Sequence, residues 1–489
     1  MSTSVRLPPG PQGLPWVGSL ADLINRPMSF YRSMTLDYGD VSHTTVGPMQ
    51  LYMINEPGLI DELLNGHAKS CMKDATTRAV YPLVGQGLLT SEGELWKRQR
   101  KLAAPAFSPK RVNAYADTMV ELSERAFSRY IDGEKRDFHV DIMSLTLEIV
   151  GKTLLGVSTD DEAARVAAAV EATLSYLQER LGSWLSLLPP RFPTPKRRRS
   201  LQAKLELDRI VSGIIERCRR EDPDADYLLA RLIRARTEDG QAMSEQQLLD
   251  EAVTMLLAGH ETTALTLMYS VYLLSKNPAV AAKLQAELDT QLQGRPVTAA
   301  ALTNLPYLDA VVRESMRLYP PAYAFGREVI EPFELGGYVM PVGAQVVVSP
   351  YGMQRNPRFF PQPERFMPER WLDGAARALP RFAYFPFGGG HRICIGSHFA
   401  QLEASLVLAT LVQQLELHVL PDFKLKLRPV ITLRSQNGLP VRVRRRASVA
   451  ITAEAEPAQT PETEGAALLA AAEAAGCPHA AAVRGAHPA

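Results

Sequence analysis

Phe387-Gly388-Gly389-Gly390-His391-Arg392-Ile393-Cys394-Ile395-Gly396 is the stretch on which the reading of this chain turns. Three consecutive glycines allow positive φ angles and let the backbone approach a flat object closely. Gly396 offers the same close packing where a helix-patterned segment begins. A thiolate is a strong iron ligand, and N–H groups of such a loop stabilise its charge. Arg392, two residues before Cys394, can neutralise a carboxylate of a bound cofactor. An isolated cysteine in a glycine turn is by default a small buried hydrophobe, so other motifs must decide.

The surrounding composition narrows the choice. The chain has 489 residues, with 54 basic and 53 acidic side chains and a formal charge of +1. That balance argues against a nucleic-acid binder, which shows a basic excess. Hydrophobic residues at 46% and charged residues at 22% leave ample material for a core and exclude global disorder. The four cysteines, Cys71, Cys218, Cys394 and Cys477, are far apart in sequence. This spacing excludes zinc ribbons, Cys-rich iron–sulfur sites, covalent haem attachment and a disulfide scaffold. The start, Leu7-Pro8-Pro9-Gly10-Pro11, has no apolar signal region. The run Ala264–Leu274 is too short to span a bilayer, so no membrane span and a cytoplasmic location are expected.

Along the chain, Val41–Val46 and Leu51–Ile54 read as strands within an irregular first fifty residues. From about Gly93 to Leu292 apolar residues recur at helical spacing. The clearest helix starts at Ser244, where Ser244 and Gln247 make a capping-box pattern, and stops before Asn277-Pro278. Its roughly 33 residues would run about 50 Å. Val346–Ser349 reads as a strand and His398–Leu415 as a helix. Residues 423–445 alternate around Asn437-Gly438, a hairpin signal. One domain over 1–446 is predicted, followed by an Ala/Glu/Pro-rich, disordered tail over 447–489.

The glycine–cysteine loop resembles the haem-binding loop of cytochrome P450 enzymes, FxxGxRxCxG, filled by Phe387, Gly390, Arg392, Cys394 and Gly396. Five matched positions set aside the buried-cysteine reading, and the resemblance implies that Cys394 is the axial thiolate of a haem b iron. Ala258-Gly259-His260-Glu261-Thr262-Thr263 resembles the family's AGx(D/E)T element. Gly and consecutive Thr are poor helix formers, so a local distortion of the helix is expected. Glu261 and Thr262 are then the pair that supplies protons for O2 cleavage; back-bonding hydroxyls are the plainer reading. A zincin HExxH site fails because Ala264 stands where the second His is needed.

Glu314-Ser315-Met316-Arg317 and Pro363-Glu364-Arg365-Phe366 resemble the family's ExxR and PERF elements. They imply a structural network of Glu314, Arg317 and Arg365. Trp96 and Arg100, one helical turn apart, are similar to the WxxxR element that holds haem propionates. Arg327 resembles a further propionate-binding position.

The resemblance runs from the proline-rich start to about Arg446. It implies a mainly α, triangular single-domain fold with a small β region. It implies a monooxygenase acting on a lipophilic small molecule, a fatty acid or terpenoid. Pocket walls are expected from parts of 71–88, from Leu257 and Ala258, from Ala322 to Phe325, and from Val430 and Ile431. No reductase motif is present, so electrons from NAD(P)H must arrive through a separate ferredoxin or flavodoxin and its reductase. Lys97, Arg98 and Lys101 could form its docking patch. A peroxide-using or rearranging haem-thiolate enzyme and a non-catalytic haem sensor are the alternatives.

Overall fold

The computed structural model describes residues 6–156, 195–221, 225–372 and 374–447, with short pieces between 165 and 172. The expected tail over 447–489 lies, but for its first residue, outside the described residues. Seven helices position the site: α1 (Gly93–Ala103), α2 (Ala116–Ser128), α3 (Phe138–Leu155), α4 (Glu245–Lys276), α5 (Pro278–Leu292), α6 (Pro306–Leu318) and α7 (Ser397–Gln414).

Helix α4 is set by its ends. Ser244 Oγ accepts from the Gln247 N–H at 3.2 Å while the Ser244 N–H donates to Gln247 Oε1 at 3.0 Å. This reciprocal cap satisfies two amides that a helix start leaves unpaired. At the other end Asn277 breaks the run and Pro278 begins α5. Between them 32 residues bury apolar side chains on nearly every side. Such a helix belongs in a core, and α4 packs against α3, α6 and α7.

The main sheet has five strands in the order β1 (Val41–Val46), β2 (Met49–Ile54), β8 (Gln345–Val348), β5 (Phe325–Val329), β3 (Cys71–Lys73). Only β2 and β8 run parallel. A second sheet joins β4 (Lys135–Asp137), β12 (Pro440–Arg445) and β9 (Leu415–Val419). Two small pairs complete the β structure: β6 (Phe333–Leu335) with β7 (Tyr338–Met340), and β10 (Leu427–Pro429) with β11 (Leu433–Ser435).

The Asn437-Gly438 hairpin is not formed. The link joins β11 to β12, but these strands belong to different sheets, and β11 turns back on β10 instead. Gly438 does take a positive φ of +64°, and a Cβ there would lie 2.1 Å from Asp137 Oδ2. The glycine turn is therefore present, while the strand partners depend on contacts far away in sequence.

The predicted charge network also differs in one member. Arg317, wholly buried, donates from Nε and Nη2 to the two oxygens of Glu314 at 2.8 and 2.9 Å. The second arginine is Arg370, whose Nε reaches Glu314 Oε1 at 2.9 Å, and Trp371 Nε1 donates to Oε2 at 2.9 Å. Arg365 contributes only its carbonyl, which accepts from Arg317 Nη2 at 3.1 Å; its side chain is exposed and donates to Gln362.

Removing one partner of a buried pair strands the other charge, at a cost of about 3–5 kcal/mol. Glu314→Ala should lose stability on that scale in urea unfolding, whereas Arg365→Ala should stay within about 0.5 kcal/mol of the unmodified protein. Equal losses would return the Arg365 side chain to the network.

Candidate functional site

The loop at Phe387–Gly396 takes its shape from two glycines with positive φ, Gly388 at +72° and Gly390 at +66°. A Cβ on Gly390 would sit 2.5 Å from the Leu64 carbonyl oxygen, and one on Gly389 2.1 Å from the Phe382 ring. No larger residue fits at Gly390 without moving backbone, or at Gly389 without displacing the buried Phe382 ring. The Cys394 N–H donates to the Phe387 carbonyl at 3.0 Å, closing the loop just before Gly396 caps α7. Arg100 from α1 donates to the Ile393 carbonyl at 2.9 Å.

Above this loop lies a cavity of about 380 Å³. Cys394, Phe387, Arg392 and Gly396 border it from the loop, Trp96 and Arg100 from α1, and Phe325 and Arg327 from β5. Helix α4 supplies one continuous wall, Glu251, Thr254, Met255, Ala258, Gly259 and Thr262 among it, at three- and four-residue steps. Cys394 is accessible because it borders the cavity, while protein packs around its other sides. Burial pushes its thiol up; the Gly396 N–H and Arg100 pull the other way.

At one margin the cavity gathers cations. Lys73 of β3 stands directly across from Arg327 of β5. Like charges so placed destabilise a strand pair. Arg392 stacks over Trp96 at 4.4 Å, pairs with Glu92 and donates to the Ser91 carbonyl at 2.8 Å. Burial, then Arg327 and Arg392, lower the Lys73 ammonium to about 7 against the pull of Asp74 and Glu92. Burial likewise lowers Arg392 to about 10 and moves Arg327 down.

These side chains fit a haem. A sulfur facing the cavity, a glycine bed without Cβ atoms, and mutually repelling cations that two carboxylates would relieve form one donor set. Lys73 was not singled out from the sequence, since a lone lysine in a short segment carries no signal; only pairing with β5 brings it here.

Three expectations change. Glu261 does not border the cavity: it is buried and accepts from Arg434 and Thr432 of the β10–β11 connection and strand. Burial alone would push its carboxyl up, but Arg434 and Thr432 hold it below its usual range, with a smaller contribution from His260. Leu257 and Ile431 pack into the core away from the cavity, although Ala258, Ala322 and Phe325 line it. Leu257 falls between the cavity-facing steps of the helix. The helix is not distorted at Gly259–Thr263: it continues as α-helix, and Thr262 Oγ1 donates back to the Ala258 carbonyl at 2.9 Å. Of the basic residues on α1, Lys97 and Lys101 pair with Glu94 and Glu238, and Arg98 donates to Gln247.

The cytochrome P450 family profile matches residues 8–439. The chain belongs to the cytochrome P450 family, and it is a monooxygenase of that family. Its fold matches the retinoic acid bound cyanobacterial CYP120A1 at TM-score 0.80 and 27% identity, over 91% of this chain and 100% of that one. Cyclooctatin synthase of Streptomyces melanosporofaciens is 32% identical over 430 residues, 86% of this chain and 92% of the relative. Cyclooctat-9-en-7-ol 5-monooxygenase of the same organism is 33% identical, over 84% of this chain and 89% of the relative. Pentalenene oxygenase of Streptomyces avermitilis is 32% identical, over 84% and 91%. Among the described residues no helix is long and apolar enough to cross a membrane.

One ionisable group on the cavity wall has a measurable signature. Burial raises the Glu251 carboxyl to about 8, with Asp250 adding to the rise and the Leu88 N–H opposing it. The native state then holds a proton that the unfolded chain releases near 4.5. Its contribution to stability is complete below that value and is lost as pH rises through about 8. Urea unfolding of Glu251→Gln should show a flatter fall in stability across this window; an unchanged slope would assign it to other groups.

Proposed function

We propose that this monooxygenase hydroxylates or epoxidises a terpenoid-like lipophilic molecule, with Cys394 as the thiolate ligand of haem b. The observation that carries the reading is the Cys394 sulfur facing an apolar cavity whose margin holds Lys73, Arg327 and Arg392. Those cations, with Trp96 and Arg100, would hold the haem carboxylates through charge-assisted bonds. When bound, a thiolate-ligated haem supplies O2 activation, the sulfur pushing electron density that favours O–O cleavage; cytochromes P450 are the standing example of this ligation.

The chain's own residues do the rest. The Gly396 N–H and Arg100 beside Cys394 pull towards the thiolate against the burial that raises the thiol, and bound iron would complete the deprotonation. Thr262 opens onto the cavity, and its hydroxyl, now donating to the Ala258 carbonyl, can pass a proton inward when it turns. Glu261 holds Arg434 and Thr432 and so fixes the β10–β11 turn against α4; in this reading it positions and does not carry the proton. Leu88, Leu89 and Phe325 supply apolar contact that excludes water and dominates binding. Terpenoid chemistry is supported by the names of the relatives, two of them built on cyclooctatin and cyclooctat-9-en-7-ol and one on pentalenene. Electrons are assigned to a ferredoxin or flavodoxin reduced by NAD(P)H, a reading supported by membership of the cytochrome P450 family, whose enzymes draw electrons from a redox partner.

Two measurements test this. The reduced carbon monoxide spectrum should report thiolate ligation in the unmodified protein and lose it in Cys394→Ala; retention would sink the ligand assignment. With a surrogate ferredoxin and its reductase, Thr262→Ala should form about tenfold less product per NAD(P)H oxidised. Full coupling in that variant, or turnover with peroxide alone, would favour the peroxide-using reading instead.

A further inference from the structure

Residues 85–90 form a turn that brings Leu88 and Leu89 to the border of the cavity. With Gly85 and Gly87 in it, the turn has little local preference for one shape. Buried side chains of two helices supply that preference. The Gln86 peptide is held at both ends: its N–H donates to Asp250 Oδ2 of α4 at 2.7 Å, and its carbonyl accepts from Gln99 Nε2 of α1 at 2.8 Å. Two residues on, the Leu88 N–H donates to Glu251 Oε2 at 3.1 Å. Consecutive acids of α4 thus take alternate amides of the turn. Gln246 Nε2, one helical turn back, steadies Asp250 Oδ1 at 2.8 Å.

The glycines let the turn come this close. Gly85 has a φ of +66°, and a Cβ there would lie 2.1 Å from Asp250 Oδ1. A Cβ on Gly87 would lie 2.2 Å from Thr254 Oγ1 and 2.7 Å from the Asp250 carbonyl oxygen. Gln99, Asp250, Glu251 and Thr254 are all buried. Burial, with Asp250 alongside, raises the Glu251 carboxyl to about 8 against the Leu88 N–H, so the two adjacent acids need not both be charged. Seating the turn leaves Gln99 Oε1, Glu251 Oε1 and Thr254 Oγ1 without hydrogen-bond partners. Unpaired buried oxygens lower stability, so stability does not account for this arrangement. What it secures is the place of Leu88 and Leu89 beside the cavity.

We infer that Asp250 and Glu251 are positioning residues for substrate selection: they hold the 85–90 turn so that Leu88 and Leu89 form a fixed apolar wall. The inference deepens the proposed function and rests on its haem and apolar-cavity parts, independently of the terpenoid assignment. A wall tied through backbone amides keeps its place whatever side chains it bears. Leu88 and Leu89 therefore set the shape that is accepted, and the two acids set where that shape stands. Were the turn free, a ligand would have to order it on binding and would lose affinity accordingly.

The test is titration of the holoenzyme with 1-methylimidazole and 1-dodecylimidazole, each read by the haem absorption shift on nitrogen ligation. The dodecyl compound adds only an apolar chain, so the ratio of the two affinities reads the wall. Asp250→Ala should lower that ratio about tenfold, the factor expected when two side chains must be ordered on binding. The affinity for 1-methylimidazole should stay within about twofold, and Asp250→Asn, which keeps an acceptor for the Gln86 N–H, should restore most of the ratio. Leu88→Ala should lower it as well, and the double variant Asp250→Ala/Leu88→Ala should fall little further, because both act on one contact. Hydrogen exchange over residues 85–90 should quicken about tenfold or more in Asp250→Ala and slow again in Asp250→Asn. Gly87→Ala leaves both acids in place but forces the turn off α4; it should reproduce the loss, and it answers independently if Asp250→Ala folds poorly. An affinity ratio or an exchange rate untouched by Asp250→Ala and Gly87→Ala, or additive losses in the double variant, would overturn the inference. A ratio near one in the unmodified enzyme, with an intact reduced carbon monoxide spectrum, instead removes the apolar cavity as the ligand site, and the proposed function with it.

Discussion

The buried pair of Glu314 and Arg317 is the contact from which the site is hung. Arg317 donates to Glu314 and, through Nη1, to the carbonyls of Gln354 and Pro363 at 2.8 and 2.7 Å. The Gln354 side chain passes the connection on: Nε2 donates to the Met316 carbonyl at 3.0 Å, and Oε1 accepts from the Phe385 N–H at 3.1 Å. Two residues beyond, the Phe387 carbonyl accepts from the Cys394 N–H. An unbroken path of hydrogen bonds and short backbone thus runs from a wholly buried ion pair to the sulfur. Charges without water demand defined partners, and that demand fixes the loop.

How much of this could be read from sequence depends on whether the information is local. The α4 limits were legible, because a capping box and an Asn-Pro stop act within a few residues of where they stand. The Cys394 loop was legible because its glycines are required by contacts that any haem-enclosing turn of this type must make. Arg370 displaced Arg365 because reach and direction after a proline-rich turn are tertiary facts; five residues along, another arginine has the better angle. Glu261 stands next to Thr262 in sequence but 100° away around a helix, which is enough to face a different partner. Lys73 and Glu251 lay outside any motif, and only the cavity singles them out.

The cavity is thus polarised in a way that composition could not reveal. Cations collect where Lys73 faces Arg327, at one margin of the cavity. The α4 wall carries Met255, Ala258 and Gly259, small or flexible residues that leave room. Charge at one margin beside an apolar wall gives a bound molecule a preferred direction, which is what selective oxidation of one carbon among many similar ones requires.

The loop and the α1 region are joined across very long stretches of chain. Arg392 reaches the Ser91 carbonyl over 301 residues, and Arg100 reaches the Ile393 carbonyl over 293. Such closures are entropically expensive and come late in folding. On the ribosome, therefore, the walls supplied by α1 and α4 emerge long before the segment that floors the cavity. For most of synthesis the future interior is an open apolar surface, the kind of surface through which incomplete chains associate with one another.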